Sequence, residues 1–308
     1  MTRSTHGTYN CFMAAATDFT LMVGGEAGQG VQTVGLVLAR ALVRGGWWVF
    51  ADQDYESRIR GGHNFFRVRA RQTPTHAHSE AVDLLIALNR ESIDLHRGEV
   101  VPGGLTLGDG EKLKLTSPAP GIVSVPLERL ARETVANPLM SNTVAMGAAV
   151  GLMGYDIAVL EGVLRDHFAA SGSEVVQANV ESARAGYRYA TAQLEARPQQ
   201  QLGVRGRPGR LLLTGNEAIA LGALAAGCRF MTSYPMTPST PIMEYMAAKG
   251  EALGVVVLQA EDEIAAMNMV VGAAFAGVRA MTATSGGGFC LMVEGLGLAG
   301  MTETPVVV

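Results

Sequence analysis

Three acidic residues, Glu261, Asp262 and Glu263, stand immediately before an apolar run and could take part in proton transfer. Carboxylates are common at helix starts for structural reasons alone, because they offset the positive end of the helix dipole. The residues that follow, Ile264 to Gly272, are apolar on nearly every side, which predicts a buried helix. A carboxylate at its start would lie at the edge of a dry interior, where it could share a proton with a ligand nitrogen.

Two turns place hydroxyl groups after predicted strands. The segment Tyr234 to Pro241 (YPMTPSTP) contains three prolines, which fix the backbone and hold the Thr237 hydroxyl in one place. A helix start accounts for Thr240 as N-cap and Pro241 as first helical residue, but it does not account for Thr237. The segment Thr282 to Gly288 (TATSGGG) either wraps a cofactor ring or simply turns the chain.

A glycine-rich segment, Gly24 to Gly30 (GGEAGQG), lies between a predicted strand and a predicted helix. Backbone N–H groups at a helix start suit a phosphate or carboxylate, and a tight turn for close packing is the equal alternative. The spacing is GxxGxG rather than GxGxxG, so NAD is not predicted, although Asp52 follows at a suitable distance for a ribose contact.

Two arginines stand beside two glycines in the segment Arg58 to His63 (RIRGGH). Such a segment could hold a phosphate between two guanidinium groups while the backbone comes close. Composition favours the alternative of an exposed basic loop, or of arginines paired with the acids Asp52, Asp54 and Glu56.

Predicted strands and helices alternate in two blocks, which favours an α/β fold with two domains, each a mainly parallel sheet covered by helices. We predict a first domain over residues 1–195, a linker over 196–209 and a second domain over 210–308. The linker prediction rests on the segment QLEARPQQQLGVRGRPGR at 193–210, which has no strand or helix periodicity and is typical of an exposed connection. The alternation predicts strands at 210–214, at 278–284 and at the apolar run 304–308, and a helix at 289–300. The last run predicts a sequence that continues beyond Val308.

Composition sets limits on function. The chain has 308 residues, of which 48% are hydrophobic and 17% charged, with a net charge of −4, so disorder and a nucleic-acid partner are excluded. The low charged fraction indicates surface covered by a partner. Three separated cysteines with no CxxC pair exclude a disulfide framework, a zinc site and a self-contained iron–sulfur cluster, so no metal ligands are predicted. Neither a membrane span nor a signal peptide is predicted, and we expect a cytoplasmic protein.

The motifs together resemble one family, the α subunits of thiamine-diphosphate-dependent 2-oxoacid:ferredoxin oxidoreductases with a γ domain fused in front. GGEAGQGVQTVG at 24–35, RGG at 60–62 and NTVAMG at 142–147 look like the γ domain. GNEAIALGALAAG at 215–227, YPMTPST at 234–240, QAEDEIAAMNMVVGAAFAG at 259–277 and TATSGGGF at 282–289 look like the pyrimidine-binding domain. The resemblance covers nearly the whole chain.

The resemblance implies roles for particular residues. Thr237, in the YPxTP turn with Tyr234 and Pro235, corresponds to the threonine that contacts the substrate and the thiazolium side of the cofactor. Glu263 corresponds to the glutamate that bonds the aminopyrimidine ring, and Glu261 is the second candidate.

Further positions follow from the same resemblance. Ser285 and Gly286 correspond to cofactor-binding positions, although the family usually reads serine-glycine-proline-glycine where this chain has three glycines. Coenzyme A is associated with the γ domain, which points to Arg60, Gly61 and Gly62. An arginine for the substrate carboxylate is expected a few residues beyond Val308.

The implied activity is oxidative decarboxylation of a 2-oxoacid, most like 2-oxoglutarate, to its acyl-CoA with reduction of ferredoxin. Magnesium, the cofactor diphosphate and the iron–sulfur cluster belong to the β subunit in this family, so activity is expected only in a dimer of αβ heterodimers. The alternatives are pyruvate, branched-chain 2-oxoacids or indolepyruvate as substrate, or a non-catalytic nucleotide-binding module.

Overall fold

The computed structural model describes residues 17–54, 62–114, 121–206 and 209–308. The chain divides into two compact units, Met1–Leu212 and Leu213–Val308.

The first unit is built on a six-stranded sheet in the order β2-β3-β1-β4-β5-β6. Strands β1, β4, β5 and β6 run parallel, whereas β3 is antiparallel to both of its neighbours. The expectation of a mainly parallel sheet is therefore confirmed, with one reversed strand. The strands are β1 (Asp18–Glu26), β2 (Trp48–Asp54), β3 (His63–Arg71), β4 (Val82–Ala87), β5 (Val100–Gly108) and β6 (Ile122–Ser124).

Six α-helices of the first unit cover this sheet in the described residues, with short 3₁₀ turns at Pro138–Met140 and Ala169–Ser171. The apolar face of the first helix packs on the central strands, where Leu21 and Val34 are fully buried. The helices are α1 (Val31–Arg44), α2 (Arg90–His96), α3 (Leu127–Val135), α4 (Ser141–Leu152), α5 (Ile157–His167) and α6 (Ser173–Gln193).

Helices α4 and α6 pack backbone against backbone. A Cβ on Gly147 would lie against the carbonyl oxygen of Ala183, and one on Gly186 would lie against the carbonyl oxygen of Val144. Real Cβ atoms do not approach backbone oxygens this closely, so each helix requires glycine at the crossing. The NTVAMG motif thus ends on a residue whose lack of a side chain lets two helices touch.

The second unit has a three-stranded, fully parallel sheet in the order β8-β7-β9. Helices follow the strands in alternation, as the sequence predicts for an α/β domain. The strands are β7 (Phe230–Ser233), β8 (Val256–Gln259) and β9 (Ala280–Met281), and the helices are α7 (Gly215–Ala225), α8 (Thr240–Leu253), α9 (Glu263–Phe275), α10 (Gly287–Leu291) and α11 (Val293–Met301).

Several local predictions for the second unit are wrong. Residues 210–214 are not a strand, because Thr214 instead caps α7 in a reciprocal pair with Glu217. The strand predicted at 278–284 is confined to two residues, and the one at 304–308 is a single bridge between Met281 and Val307. The helix predicted at 289–300 is two helices, α10 and α11, which meet at Met292.

Helix α8 begins one residue earlier than predicted. Ser239, not Thr240, is the N-cap, and Pro241 is therefore the second helical residue. The Ser239 hydroxyl donates to the Met236 carbonyl at 2.7 Å rather than capping the helix, so the preceding turn is closed by its own residues.

The connection between Gln193 and Arg210 is exposed over most of its described length, but Pro198 and Leu202 are buried. The Trp47 indole N–H donates to the Gly203 carbonyl at 2.9 Å, and the Arg210 guanidinium lies 3.8 Å from the centre of the Trp48 ring. The two tryptophans therefore fix this segment to the first unit.

No helix in the described part of the chain is long and apolar enough to cross a membrane.

Candidate functional site

The loops that follow the three strands of the second unit meet at one edge of the sheet. Parallel strands present their carboxyl ends together, and open α/β sheets bind ligands there. The backbone N–H of Ala260, after β8, donates to the Ser233 carbonyl at the end of β7 at 3.0 Å. The Ser233 hydroxyl in turn donates to the carbonyl of Ala283, after β9. Hydrogen bonds thus join the three loops.

The acidic run at the start of α9 separates into three environments. Asp262 is the N-cap and accepts the backbone N–H of Ala265 at 2.7 Å, which is the structural role expected at a helix start. Glu261 is exposed. Glu263 is only 4% exposed, and its Oε1 atom is buried without a hydrogen-bond partner among the described residues.

A buried carboxylate oxygen without a partner is costly, so it indicates a partner that the described residues do not supply. Of the two candidate glutamates, Glu263 is the one held at a dry boundary. Its geometry suits a ligand that shares a hydrogen with a carboxyl group.

The Thr237 turn and the Ser285 loop lie side by side. The Ser285 hydroxyl donates to the Thr237 carbonyl at 2.7 Å, so the two loops are fixed to each other. Thr237 and Gly286 are exposed and Ser285 is half-buried, which leaves this edge open to a ligand. Gly286 has φ of 44°, a backbone conformation that favours glycine.

The rest of the turn is also accessible. Tyr234 is 39% exposed and Pro235 is half-buried. A cavity of about 370 Å³ opens beside the second loop and is lined in part by Thr282, Thr284 and Ser285. The structure therefore brings together residues of three motifs that lie up to about fifty positions apart in the sequence.

Helix α9 is less buried than its composition predicts. Met267 and Val270 are fully buried, but Ile264 is 46% exposed and Phe275 is 79% exposed. The prediction of burial on all sides is wrong for the chain alone, because one face of the helix has no covering element in the described residues.

In the first unit, the glycine segment forms a turn at the carboxyl end of β1. Gly28 and Gly30 have φ of 90° and 83°, so both need glycine. A cavity of about 520 Å³ opens between this turn and the residues after β4 and β5. Gly62 lies beside the turn, because its carbonyl accepts the backbone N–H of Ala27 at 3.3 Å. Arg60 and Gly61 lie outside the described residues.

The Asp52 carboxylate is not available to bind a ribose, because it is already paired with an arginine. Its two carboxylate oxygens accept from Arg67 at 3.1 and 2.7 Å, and the Arg67 side chain is 9% exposed. This ion pair within the sheet agrees with the glycine spacing, which does not favour NAD.

Sequence reasoning missed a polar chain in the first unit. His63 Nε2 and His96 Nε2 lie 2.7 Å apart, and His96 Nδ1 lies 2.7 Å from Glu99 Oε1. The two histidines come from β3 and α2, and no motif joins those elements in the sequence. One hydrogen lies between the two Nε2 atoms, so one ring donates and the other accepts.

The described cysteines are a buried Cys228 and an exposed Cys290, both free. Burial raises the pKa of the Cys228 thiol, which makes it a structural rather than a reactive group. Among the described residues, no cluster of three or more histidine, cysteine, aspartate or glutamate side chains could hold a metal ion.

The family of this fold and site is shown by comparison with known proteins. The pyruvate ferredoxin/flavodoxin oxidoreductase model matches residues 20–189, more than half of the chain. The thiamine diphosphate-binding model of the pyruvate flavodoxin/ferredoxin oxidoreductases matches residues 221–308. The chain belongs to the pyruvate ferredoxin/flavodoxin oxidoreductase family, and the resemblance drawn from the motifs is confirmed.

Two relatives are similar to this chain over different lengths. The chain is 30% identical to 2-oxoacid:ferredoxin oxidoreductase 2, subunit alpha, of Aeropyrum pernix, over 94% of this chain and 54% of the relative. It is 55% identical over 96 residues to the 2-oxoglutarate synthase subunit KorA of Methanothermobacter marburgensis, which is 31% of this chain and 26% of the relative.

One solved structure is similar to this chain over nearly its whole length. The 2-oxoglutarate:ferredoxin oxidoreductase of Magnetococcus marinus, with 2-oxoglutarate, coenzyme A and succinyl-CoA bound, matches with a TM-score of 0.84 and 32% identity. The match covers 95% of this chain and 52% of that one. The chain thus spans about half the length of the full-length relatives that it matches.

Proposed function

We propose that the chain forms the α-type half of a thiamine diphosphate site in a 2-oxoacid:ferredoxin oxidoreductase. One observation carries the proposal: the buried Glu263 carboxyl group, with an unpartnered oxygen, lies where the loops of a thiamine-binding domain meet. The whole activity needs further protein.

The residues at this edge fit the cofactor. Glu263 would share a hydrogen with the aminopyrimidine ring, since a buried carboxyl oxygen requires a partner. When bound, thiamine diphosphate supplies the electron sink for decarboxylation of a 2-oxoacid. Thr237 would orient the substrate from its rigid turn. Glu261, which is exposed, stays the second candidate for the ring contact.

The neighbouring residues would hold the cofactor in place. Tyr234 and Pro235 would contact it from the turn after β7, and Ser285 and Gly286 from the loop after β9. The hydrogen bond from the Ser285 hydroxyl to the Thr237 carbonyl supports this, because it holds both loops on one side of the site.

For the reaction we propose oxidative decarboxylation of 2-oxoglutarate to an acyl-CoA, with ferredoxin as electron acceptor. The printed names of the Methanothermobacter and Magnetococcus proteins support that substrate. Pyruvate, branched-chain 2-oxoacids and indolepyruvate are the competing substrates. Arg60, Gly61 and Gly62 would contact coenzyme A, and the cavity at the glycine turn, which Gly62 contacts, supports this.

For the assembly we propose a β subunit that carries magnesium and the iron–sulfur cluster, in a dimer of αβ heterodimers located in the cytoplasm. Among the described residues, eighteen of the twenty-two exposed large hydrophobic side chains lie in the second unit. An apolar surface of that extent supports a covering partner. We also keep the division into domains at 1–195 and 210–308 as part of this proposal.

The test is to produce the full α polypeptide with and without the neighbour-encoded β subunit. We expect thiamine diphosphate to bind only to the pair, and the pair to reduce a viologen dye with 2-oxoglutarate. If the pair reduces the dye only with a different 2-oxoacid, that acid replaces 2-oxoglutarate as the proposed substrate. Nucleotide binding by the lone α polypeptide, without thiamine diphosphate on the pair, would overturn the proposal in favour of a nucleotide-binding module.

A further inference from the structure

Gly288, the second residue of α10, lies directly against the buried carboxyl group of Glu263. A Cβ on Gly288 would lie 2.8 Å from Glu263 Oε1 and 3.1 Å from Glu263 Cγ. It would also press against the hydroxyl oxygen of Thr284. Since Gly288 is itself buried, the carboxyl group occupies the space that a side chain at this position would fill.

The backbone does not explain why this position is glycine. The φ of Gly288 lies outside the left-handed region, within a helix that other residues could also form. By contrast, Gly286 needs glycine for its φ of 44°. At Gly288 the requirement therefore comes from the contacts with Glu263 and Thr284.

No hydrogen bond in the described residues fixes Oε1 of Glu263. The Thr284 hydroxyl, which also lies next to Gly288, donates instead to the sulfur of Met236 at 3.7 Å. The neighbouring Asp262 is engaged as the cap of α9. Packing, rather than a polar contact, therefore sets the position of this carboxyl oxygen.

We propose that Gly288 is a positioning residue for Glu263, and that its bare Cα sets where the carboxyl group meets the aminopyrimidine ring. This inference rests on the proposed function. The three atoms nearest to a methyl group at 288 all belong to the side chains of Thr284 and Glu263, and none is a backbone atom. We therefore expect the substituted chain to fold with both side chains displaced, and the displaced Glu263 carboxyl group to lose its position.

The chain offers a matched control one residue away. A Cβ on Gly287, in the same helix, meets no atom within 4 Å. Gly288→Ala and Gly287→Ala thus make the same change in the backbone, and they differ in contact with the side chains of Glu263 and Thr284.

Both variants would be measured in the assembled complex loaded with thiamine diphosphate and without substrate. The measurement is the rate at which the C2 hydrogen of bound thiamine exchanges for deuterium, followed by quenched NMR, together with the dissociation constant of the cofactor. We expect exchange to slow about tenfold or more in Gly288→Ala, because misplacement by ~1 Å is costly in catalysis. Gly287→Ala should stay within about twofold of wild type in both quantities.

A double-mutant cycle with Glu263→Gln separates positioning from a general loss of structure. If Gly288 acts through the carboxyl group, Gly288→Ala changes exchange by less than about twofold in the Glu263→Gln background. A further slowing in that background, or equal effects of the two alanine variants, would overturn the inference.

These measurements distinguish failure of the proposed function from failure of this inference alone. If Glu263→Gln leaves exchange unchanged, both the function and this inference are wrong. If Glu263→Gln slows exchange strongly while Gly288→Ala does not slow it, only this inference is wrong. Should Gly288→Ala assemble poorly, the same comparison in a Thr284→Ala background, where the nearest obstacle to the new methyl group is gone, must still show slower exchange.

Discussion

Burial separates Glu263 from Glu261, although the two residues are identical in type and stand two positions apart. Glu263 begins α9 and is 4% exposed, whereas Glu261 precedes the helix and is exposed. The sequence limited the choice to these two, because both fit the start of an apolar helix. The family resemblance ranked Glu263 first. The residue types alone could not decide between the two, since the direction of each side chain depends on how the loop after β8 packs.

Replacing Glu263 with glutamine should abolish turnover while the complex still assembles. The change removes one ionisable hydrogen and almost no volume, so the expected loss is at least about a hundredfold in kcat. The measurement is 2-oxoacid-dependent dye reduction, with assembly checked by gel filtration. Glu261→Gln is the matched control and should keep activity, and the reverse pattern would move the role to Glu261.

Thr237 should act on the substrate rather than on the cofactor. Its turn is held by prolines and by the hydrogen bond from Ser285, so Thr237→Ala leaves the backbone contact in place. We expect a higher KM or lower kcat/KM for the 2-oxoacid, by about tenfold, with thiamine diphosphate content unchanged. Kinetic constants equal to those of wild type would refute the role.

Asp83 should make the stability of the first unit depend on pH. Burial raises the pKa of Asp83 to about 6, with the nearby Asp18 charge as a smaller cause. When the pKa of an acid is raised in the folded state, the protein loses stability as the pH rises from the unfolded-state pKa of about 4 to the folded-state pKa of about 6. Asp83→Asn stays neutral and can still accept the Thr20 N–H, which bonds Asp83 at 2.8 Å.

Above pH 6 the variant should therefore be more stable than wild type, by about 2 kcal/mol in the free energy of unfolding, and it should melt at a higher temperature. Near pH 4 this difference should disappear. Thermal unfolding followed by circular dichroism across this range measures the difference. A difference independent of pH would show that the Asp83 carboxyl group is not the cause.

At the scale of elements, helix α4 and helix α6 depend on glycines at their crossing. Gly147→Ala would press a methyl group into the Ala183 carbonyl, which is backbone and cannot move as a side chain can. We expect a loss of about 2–4 kcal/mol in the free energy of unfolding. Gly162→Ala in α5 is the control, because its methyl meets only the end of the Arg44 side chain. Chemical denaturation compares the two, and equal stabilities would contradict close helix packing.

The sequence predicted the strands whose residues are mostly apolar, such as β1 and β4. It missed β3, in which every second residue from Arg67 to Arg71 is an arginine. Arg67 pairs with Asp52, and Arg69 and Arg71 pair with Asp18, while the residues between them are buried. This period of two was present in the sequence, but the positive charges concealed it. The strand at 278–284 was overestimated because its composition predicts burial, which residues 280–283 show, and not hydrogen-bonded pairing.

At the scale of the whole molecule, the sequence predicted two α/β units and the loops that carry the candidate site, but not what covers the second unit. The composition of α9 indicated an apolar environment on every side, and Phe275 is nevertheless 79% exposed. Apolar content measures how much surface requires cover. It does not say whether the same chain or another one supplies it.

The whole account depends on one contact, between Glu263 and the ring of thiamine diphosphate. A cryo-EM structure of the complete enzyme, with all its subunits and the cofactor bound, tests it most directly. We predict a carboxyl oxygen of Glu263 within about 3 Å of a ring nitrogen of the aminopyrimidine. If that nitrogen instead bonds another residue and the Glu263 carboxyl group lies well beyond hydrogen-bond distance, the account is contradicted.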